Sequence, residues 1–349
     1  MGQIRIGPEV RCGEVYVNGT KVGEFPGWQA VGHDYFQSDV QKLLKEGENL
    51  IAIYCHNYRN RGQMPVKVTL GPSTRTTSYT RSLDVADALS TVRYTRNGVT
   101  YTREAFASAP DQVMVFRFSA DQPGKISFHA SLDRLTRFET TAVGKDGLLM
   151  TGSTPARSDK DGMKFVARLK ALQSGGKVST RGNELVIESA DEAILLVSAG
   201  TDYMGFAGRK TADPLATTLK DIEAAIKKPY TRLKADSIAD HRSYYDRMSL
   251  SLGDGNNESA QRGLATTDER LKSLAEGQPD PALAALYFNF GRYLMISSSR
   301  PGTMPANLQG LWAEGVATPR NCDYHIDVNV QMNYWPAEVT GLGDCHTPL

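Results

Sequence analysis

The sequence predicts a multidomain protein, mainly β and then α, in which antiparallel β-sandwich structure is followed by helices. Three observations carry this. Between Arg81 and about Tyr203, short runs alternating apolar and polar residues recur at even spacing between Gly-rich turns, the pattern of strands that bury one face. Two Asn-Gly pairs, Asn18-Gly19 and Asn97-Gly98, separate such runs, as tight hairpins require when both central residues take positive φ. After Asp213 the apolar period changes from strand-like to helical.

In chain order, residues 1–70 read as a partial β-sandwich, with strands at Val15–Val17, Lys21–Val22 and Leu50–Tyr54. The few strands before Val15 predict that part of this sandwich is missing at the N-terminus. Gly71–Thr80, rich in Ser, Thr, Gly and Pro, is the first linker. The second sandwich occupies 81–205, with strands at Thr91–Thr95, Val99–Thr102, Val113–Phe118, Lys125–His129, Lys164–Leu169, Glu184–Glu188 and Ala193–Val197. A helical linker spans 213–275. It opens with the start signal Asp213-Pro214 and repeats Leu215, Leu219, Ile222 and Ile226 on one face. A helix from about Tyr230 to Met248, a strand-like Leu250–Leu252, a polar connector and a helix near Asp268–Ala275 follow. The last region, 280–349, begins with a helix at Asp280-Pro281 through Ser298, whose apolar stripe is Leu283, Leu286, Tyr287, Phe290 and Leu294.

Composition excludes several function classes. A net charge of +1, from 40 basic and 39 acidic side chains, offers no general attraction to nucleic acid or to an anionic membrane. The longest aliphatic run, Ala193–Val197, is too short to span a bilayer. Four cysteines (Cys12, Cys55, Cys322, Cys345) are too sparse for a disulfide scaffold. No cofactor is expected.

The chemistry-bearing residues crowd the C-terminal end. In His325-Ile-Asp327-Val-Asn329-Val, an extended backbone puts an imidazole, a carboxylate and an amide on one face, able to hold a polar ligand and a water. The plainer reading of that alternation is a solvated edge strand. Trp312 and Trp335 can stack on a sugar or pack in a core. Glu338 is either a catalytic acid or a helix-start charge. Cys322 with His325, and Cys345 with His346, fit no zinc spacing, so no metal is expected. Arg300, before Pro301, closes a helix with a cation. Trp28, Tyr35 and His56 either line a carbohydrate groove or serve as core and rim.

Two blocks, Ser298–Trp312 (SSRPGTMPANLQGLW) and Asp323–Glu338 (DYHIDVNVQMNYWPAE), resemble the start of the catalytic domain of glycoside hydrolase family 95, the inverting α-L-fucosidases. The resemblance continues upstream through Asn97–Asp111 and Ala193–Tyr203, covering roughly 76–349. It implies an N-terminal sandwich, a helical linker and an (α/α)6 barrel, here the truncated start of one at 280–349. Residues 1–70 resemble the sugar-binding sandwiches attached to many glycosidases, on Val15–Val22 and Gly47–Tyr54.

The implied substrate is a fucosylated oligosaccharide or glycan, cleaved from its fucose end with inversion. Asn329 would hold the attacking water. Asp327 stands where the family usually has Asn, and either polarises Asn329 or takes the base role itself. His325, Asn307, Gln309 and Trp312 would contact the sugar. The loop Ala313–Asn321 lacks the family's usual Asn-Pro-Pro-Trp, which leaves linkage and substrate length open. The family's acid glutamate and base-assisting aspartate would lie beyond Leu349, so this chain is expected to be inactive alone. Two alternatives stay open: an α-L-galactosidase of the same family, whose substrate adds one hydroxyl, and a non-catalytic carbohydrate-binding β-sandwich protein. Full-length relatives suggest secretion or a periplasmic location; oligomeric state is not fixed by sequence.

Overall fold

The computed structural model describes residues 3–6, 13–25, 36–45, 49–55, 68–71, 76–155, 161–252, 265–313 and 318–349. Two compact units divide at Thr77/Ser78. In the first, β1 (Gln3–Ile6) lies between β4 (Phe36–Asp39) and β6 (Val68–Gly71), and β2 (Gly13–Val17) between β3 (Thr20–Phe25) and β5 (Ile51–Cys55), all antiparallel. The β2–β3 hairpin turns on Asn18 and Gly19 at φ 50° and 84°, as the Asn-Gly signal requires. Val15, Val17 and Val40 form a small core. Trp28, Tyr35, His56 and Cys12 lie outside the described residues.

The second unit starts with the strands β7 (Thr76–Asp84), β8 (Leu89–Arg96), β9 (Val99–Ser108), β10 (Val113–Ala120), β11 (Ile126–Ser131) and β12 (Phe138–Ala142). They are followed by β13 (Gly147–Pro155), β14 (Asp161–Ser174), β15 (Lys177–Arg181), β16 (Glu184–Ala190) and β17 (Glu192–Thr201). They make an antiparallel eight-stranded sheet, β12-β13-β14-β17-β10-β9-β8-β7, and a three-stranded sheet, β11-β16-β15. The strand β17 shows why the run Ala193–Val197 is continuously apolar. Ala193, Leu195 and Val197 point into the core between the two sheets with Leu169, Leu185 and Ile187. Ile194 and Leu196 point to the opposite face, with Val113, Val115 and Ile222. A central strand covered on both sides needs apolar residues at every position.

Helices cover that second face. The helix α1 (Pro214–Ala225) starts where Asp213 accepts the Ala216 N–H at 3.0 Å. The helix α2 (Tyr230–Tyr245) is fastened to the sheet by charge: Glu104 of β9 receives Lys234 at 2.6 Å and Arg117 at 2.9 Å. Burial alone raises the Glu104 carboxyl, but the bonds from Lys234 and Arg117 carry it below its usual range. The helices α3 (Thr267–Ala275) and α4 (Pro281–Ser298) follow, the latter capped by Asp280 on the Leu283 N–H at 2.9 Å. Two short helices, α5 (Asn329–Tyr334) and α6 (Pro336–Val339), end the fold.

Three expectations are corrected. The buried face of α1 is Pro214, Thr218, Ile222 and Ala225, whereas Leu215, Leu219 and Ile226 are exposed, so only Ile222 of the expected stripe faces the sheet. Residues 248–252 have no regular structure, so Leu250–Leu252 is not a strand. The buried face of α4 is Leu283, Ala285, Arg292, Met295, Ile296 and Ser298, whereas Tyr287 is 78% exposed. The helix is apolar nearly all round, so periodicity does not select a face; an arginine does. Arg292 is 2% exposed and donates to four backbone carbonyls: Tyr245 O and Met248 O at 2.9 Å, Thr340 O at 3.2 Å and Tyr244 O at 3.3 Å. These are the carbonyl ends of α2 and α6, where a helix leaves acceptors unpaired and favours a cation.

Replacing Arg292 by Met should therefore leave several buried carbonyls without donors and destabilise the helical region by at least about 2 kcal/mol. Arg292→Lys should recover only part of this, because an ammonium has three donors and no planar fork. Urea unfolding of the purified variants measures both.

Candidate active site

The site is assembled from the two C-terminal sequence blocks. After α4 the chain leaves through Ser299 and Arg300. The Arg300 guanidinium returns to Ile296 O at 3.0 Å and pairs with Asp240 of α2, so the expected helix-closing cation is also a brace between helices. Gly302, at φ 85°, turns the chain, and its carbonyl accepts the Gly208 N–H of the loop between β17 and α1 at 2.8 Å. Asn307 and Gly310 then form a tight bridge. Within it the Asn307 side chain accepts the Gln309 N–H at 2.9 Å, and the Trp312 N–H reaches Gln309 O at 3.1 Å. Gly310 (φ 68°) must be glycine, since a Cβ there would lie 2.6 Å from the Trp312 ring. Trp312 is 49% exposed, leaving part of its indole open.

The second block does not form the extended row its alternation suggests. Residues 326–328 are a turn in which the Val328 N–H bonds Ile326 O at 2.7 Å, with Asp327 at its apex. Val328 sits at φ 77°, and Asn329 is the first residue of α5. His325, Asp327 and Asn329 therefore do not share a strand face; Ile326 (71% exposed) and Val328 (47%) do not anchor a buried one. The α5 backbone wins because the Val330 N–H closes on His325 O at 3.0 Å, a turn wider than an α-helix's, and the Met332 N–H on Val328 O at 3.0 Å then starts the helix. A β-branched residue at positive φ costs of order 1–3 kcal/mol and marks a place where the surroundings overrule local preference. His325 is half-buried, and its Nε2 is enclosed with no partner among the described residues.

Three residues that motif reading did not single out tie the blocks together. Asn333 of α5 donates to Asn307 O at 2.9 Å. Tyr324 donates to Pro305 O at 2.9 Å; burial, then Tyr334 and Tyr203 nearby, push its phenol pKa up. Tyr334, 2% exposed, accepts the Ala306 N–H at 2.6 Å and contacts Ser299 Oγ at 2.8 Å. Because Ser299 Oγ donates to Cys345 O at 2.8 Å, the Tyr334 proton goes to Ser299. One directed chain of hydrogen bonds thus fixes the Asn307 loop against the helix that Asn329 begins.

Glu338 is exposed, and the imidazole of His346 bonded to it holds its carboxyl below the usual range. A general acid needs the opposite shift. Trp335 is 62% exposed. Burial raises the Cys345 thiol to about 11, while Cys322 contacts Thr318 Oγ1 at 2.8 Å. Among the described residues no three His, Cys, Asp or Glu side chains converge as a metal site, and no helix is long and apolar enough to cross a membrane.

Residues 229–349, which contain this whole arrangement, match the glycosyl hydrolase family 95 catalytic domain. Over those residues the chain belongs to glycoside hydrolase family 95. Residues 33–205 match the glycosyl hydrolase family 65 N-terminal domain, in keeping with the sandwich. The chain as a whole is 33% identical over 365 aligned residues to Alpha-L-fucosidase 2 of Arabidopsis thaliana, covering 92% of this chain and 43% of that protein. It is 31% identical over 347 residues to a Probable alpha-fucosidase A of Aspergillus niger, covering 95% and 42%. The chain thus spans less than half the length of these relatives. A solved structure named Putative kojibiose phosphorylase from human microbiome superposes at a TM-score of 0.46 and 13% identity, over 69% of this chain and 31% of that one.

Two measurements probe the junction. Tyr334→Phe removes the hydroxyl that joins Ala306 and Ser299, and should cost about 1–3 kcal/mol in thermal or urea unfolding because an enclosed N–H loses its acceptor. Cys345 should alkylate at pH 8 about 100-fold more slowly than an exposed thiol, since its folded pKa of about 11 lies above the ordinary 9.0. By linkage, its neutral form contributes stability fully below pH 9.0 and loses it as pH rises through about 11. Mass spectrometry of iodoacetamide-treated native protein reads the rate.

Proposed function

We propose that this family 95 chain is the N-terminal portion of an exo-acting α-L-fucosidase that removes terminal fucose from oligosaccharides with inversion. The observation that carries this reading is the junction of the two blocks, Asn333 to Asn307 and Tyr334 to Ala306, within the segment matching the family 95 catalytic domain. The matched relatives are themselves named alpha-fucosidases.

Inversion needs a water activated on one face of the sugar and an acid on the other. In this reading Asn329, fixed at the start of α5, orients the water through its amide. An amide cannot accept a proton usefully, so a carboxylate must polarise it. Asp327, two residues earlier at the apex of the turn, is the nearest such group in sequence. His325, with its enclosed Nε2, contacts a sugar hydroxyl, and Asn307, Gln309 and Trp312, on the loop tied to α5 by Asn333 and Tyr334, supply further contacts. This reading does not use Glu338 as the acid, since His346 is bonded to it and holds its carboxyl below the usual range.

In a full-length enzyme, Asn329→Ala should lower kcat by about 10²–10³-fold with little change in KM, because water orientation matters in the transition state. Asp327→Asn should keep measurable activity. Loss as deep as in Asn329→Ala would make Asp327 the essential base. Assays on a chromogenic α-L-fucoside and on the matching α-L-galactoside separate the two sugars, and NMR of the first-formed product should show the β-anomer.

A further inference from the structure

A cavity of about 500 Å³ opens on the sandwich beside β14 and β17, and none of His325, Asp327 or Asn329 lines it. Its lining includes Arg134, Phe165, Tyr203, Arg209 and Lys210, and no carboxylate. Three cations thus line the cavity with no acidic side chain among the lining residues. Arg134 lies over the Phe165 ring at 4.9 Å and spends one donor on Thr136 O at 2.6 Å, leaving most of its guanidinium fork to a ligand. Lys210 is exposed and makes no hydrogen bond or ion pair among the described residues; its backbone is held at φ 47°, which a lysine does not adopt by preference. Arg209 is bound to Asp221 by two bonds of 2.6 and 2.8 Å, so its charge is largely matched. The nearby Asp202 is engaged by the Lys164 N–H at 2.8 Å. Phe165 and Tyr203, both half-buried, supply an apolar floor.

We propose that this cavity is a binding subsite for an acidic saccharide, a sugar unit carrying a carboxylate or a sulfate. The guanidinium of Arg134 takes the anion in a planar fork, Lys210 adds a point charge, and the sugar ring lies against Phe165 and Tyr203. Its position fits a second unit of the same glycan. The loop that lines it donates from Gly208 to Gly302 of the Asn307 loop, and Tyr203 approaches Tyr324, next to His325. That the ligand is a glycan rests on the hydrolase reading above; the binding itself rests on the cavity.

The test is calorimetric titration of the purified 349-residue chain with a trigalacturonate, with a sulfated trisaccharide and with neutral maltotriose. Saturable binding of at least one acidic ligand, and none of maltotriose, is expected; which acidic ligand binds identifies the anion. The double variant Arg134→Gln/Lys210→Gln should weaken that binding at least about 10-fold. Lys177→Gln, which removes an exposed cation elsewhere on the sandwich, should leave it unchanged. Circular dichroism melting confirms that each variant is folded. Absence of acidic binding, equal binding of maltotriose, or binding that survives the double variant overturns the proposal. Because binding is read without turnover, a failure of fucoside hydrolysis in the full-length enzyme would count against the hydrolase reading and leave this result standing.

Discussion

A buried guanidinium without a carboxylate bonded to it is costly unless its donors are satisfied in another way, and the helical region is organised around how Arg292 meets that requirement. Its four carbonyl acceptors end α2 and follow α6, elements separated by nearly a hundred residues of chain. Burial pushes its pKa down, yet an arginine stays charged and continues to donate. The helix α4 is thereby fixed in rotation: the face bearing Arg292 turns inward, and Met295 and Ile296 follow into the core with Val330, Tyr334 and Leu342. Everything C-terminal to Ser298 starts from that orientation.

The Asn307 loop inherits its position in two steps. Arg300, one turn beyond Ile296, ties the end of α4 to Asp240 of α2, and its guanidinium stacks over Tyr244 at 4.9 Å. Tyr334 then closes the loop on α5 from the other side. Neither step contacts a sugar in the proposed site. Both decide where Asn307 and Asn329 stand relative to one another, which is the kind of support a water-positioning amide needs, since small misplacements in an active site carry large rate penalties. Sequence motifs of this kind therefore mix residues of two sorts. Of Asn329, Asn333 and Tyr334, all within one short helix, only the first is proposed to face the reaction.

Much of the sandwich was legible because strand period and burial agree there. Val113–Phe118 alternates as a strand should, and the Asn97-Gly98 turn falls at φ 53° and 75° between β8 and β9. The strands left unread fail that test for local reasons. In β13, Gly147 and Gly152 interrupt the pattern, and Gly152 is required because a Cβ would come within 2.4 Å of the Phe165 ring and 2.2 Å of Arg137 O. The edge strand β12 is short and mostly polar, so nothing in it signals burial. Helix starts were visible because Asp-Pro encodes a cap locally. The face of α4 was not, because it depends on carbonyls of α2 that sequence does not bring near.

The site illustrates the same division at finer scale. Residue types suited to holding a sugar and a water could be read directly, but their arrangement could not, because His-x-Asp-x-Asn has strand period and a helical outcome. Val328 is where the two meet. In a strand it would be an ordinary anchor; at φ 77° it is a strained hinge that ends the turn and starts α5. The strain is offset by bonds that a strand would lack, from Val330 to His325 O and from Met332 to Val328 O, each 3.0 Å. In the proposed site this leaves the Asn329 amide at the first position of α5 and Asp327 exposed two residues earlier, off the helix itself. A carboxylate in that place stays solvated and outside the helix's own hydrogen bonds, so it keeps its acceptor oxygens for a water that the amide orients.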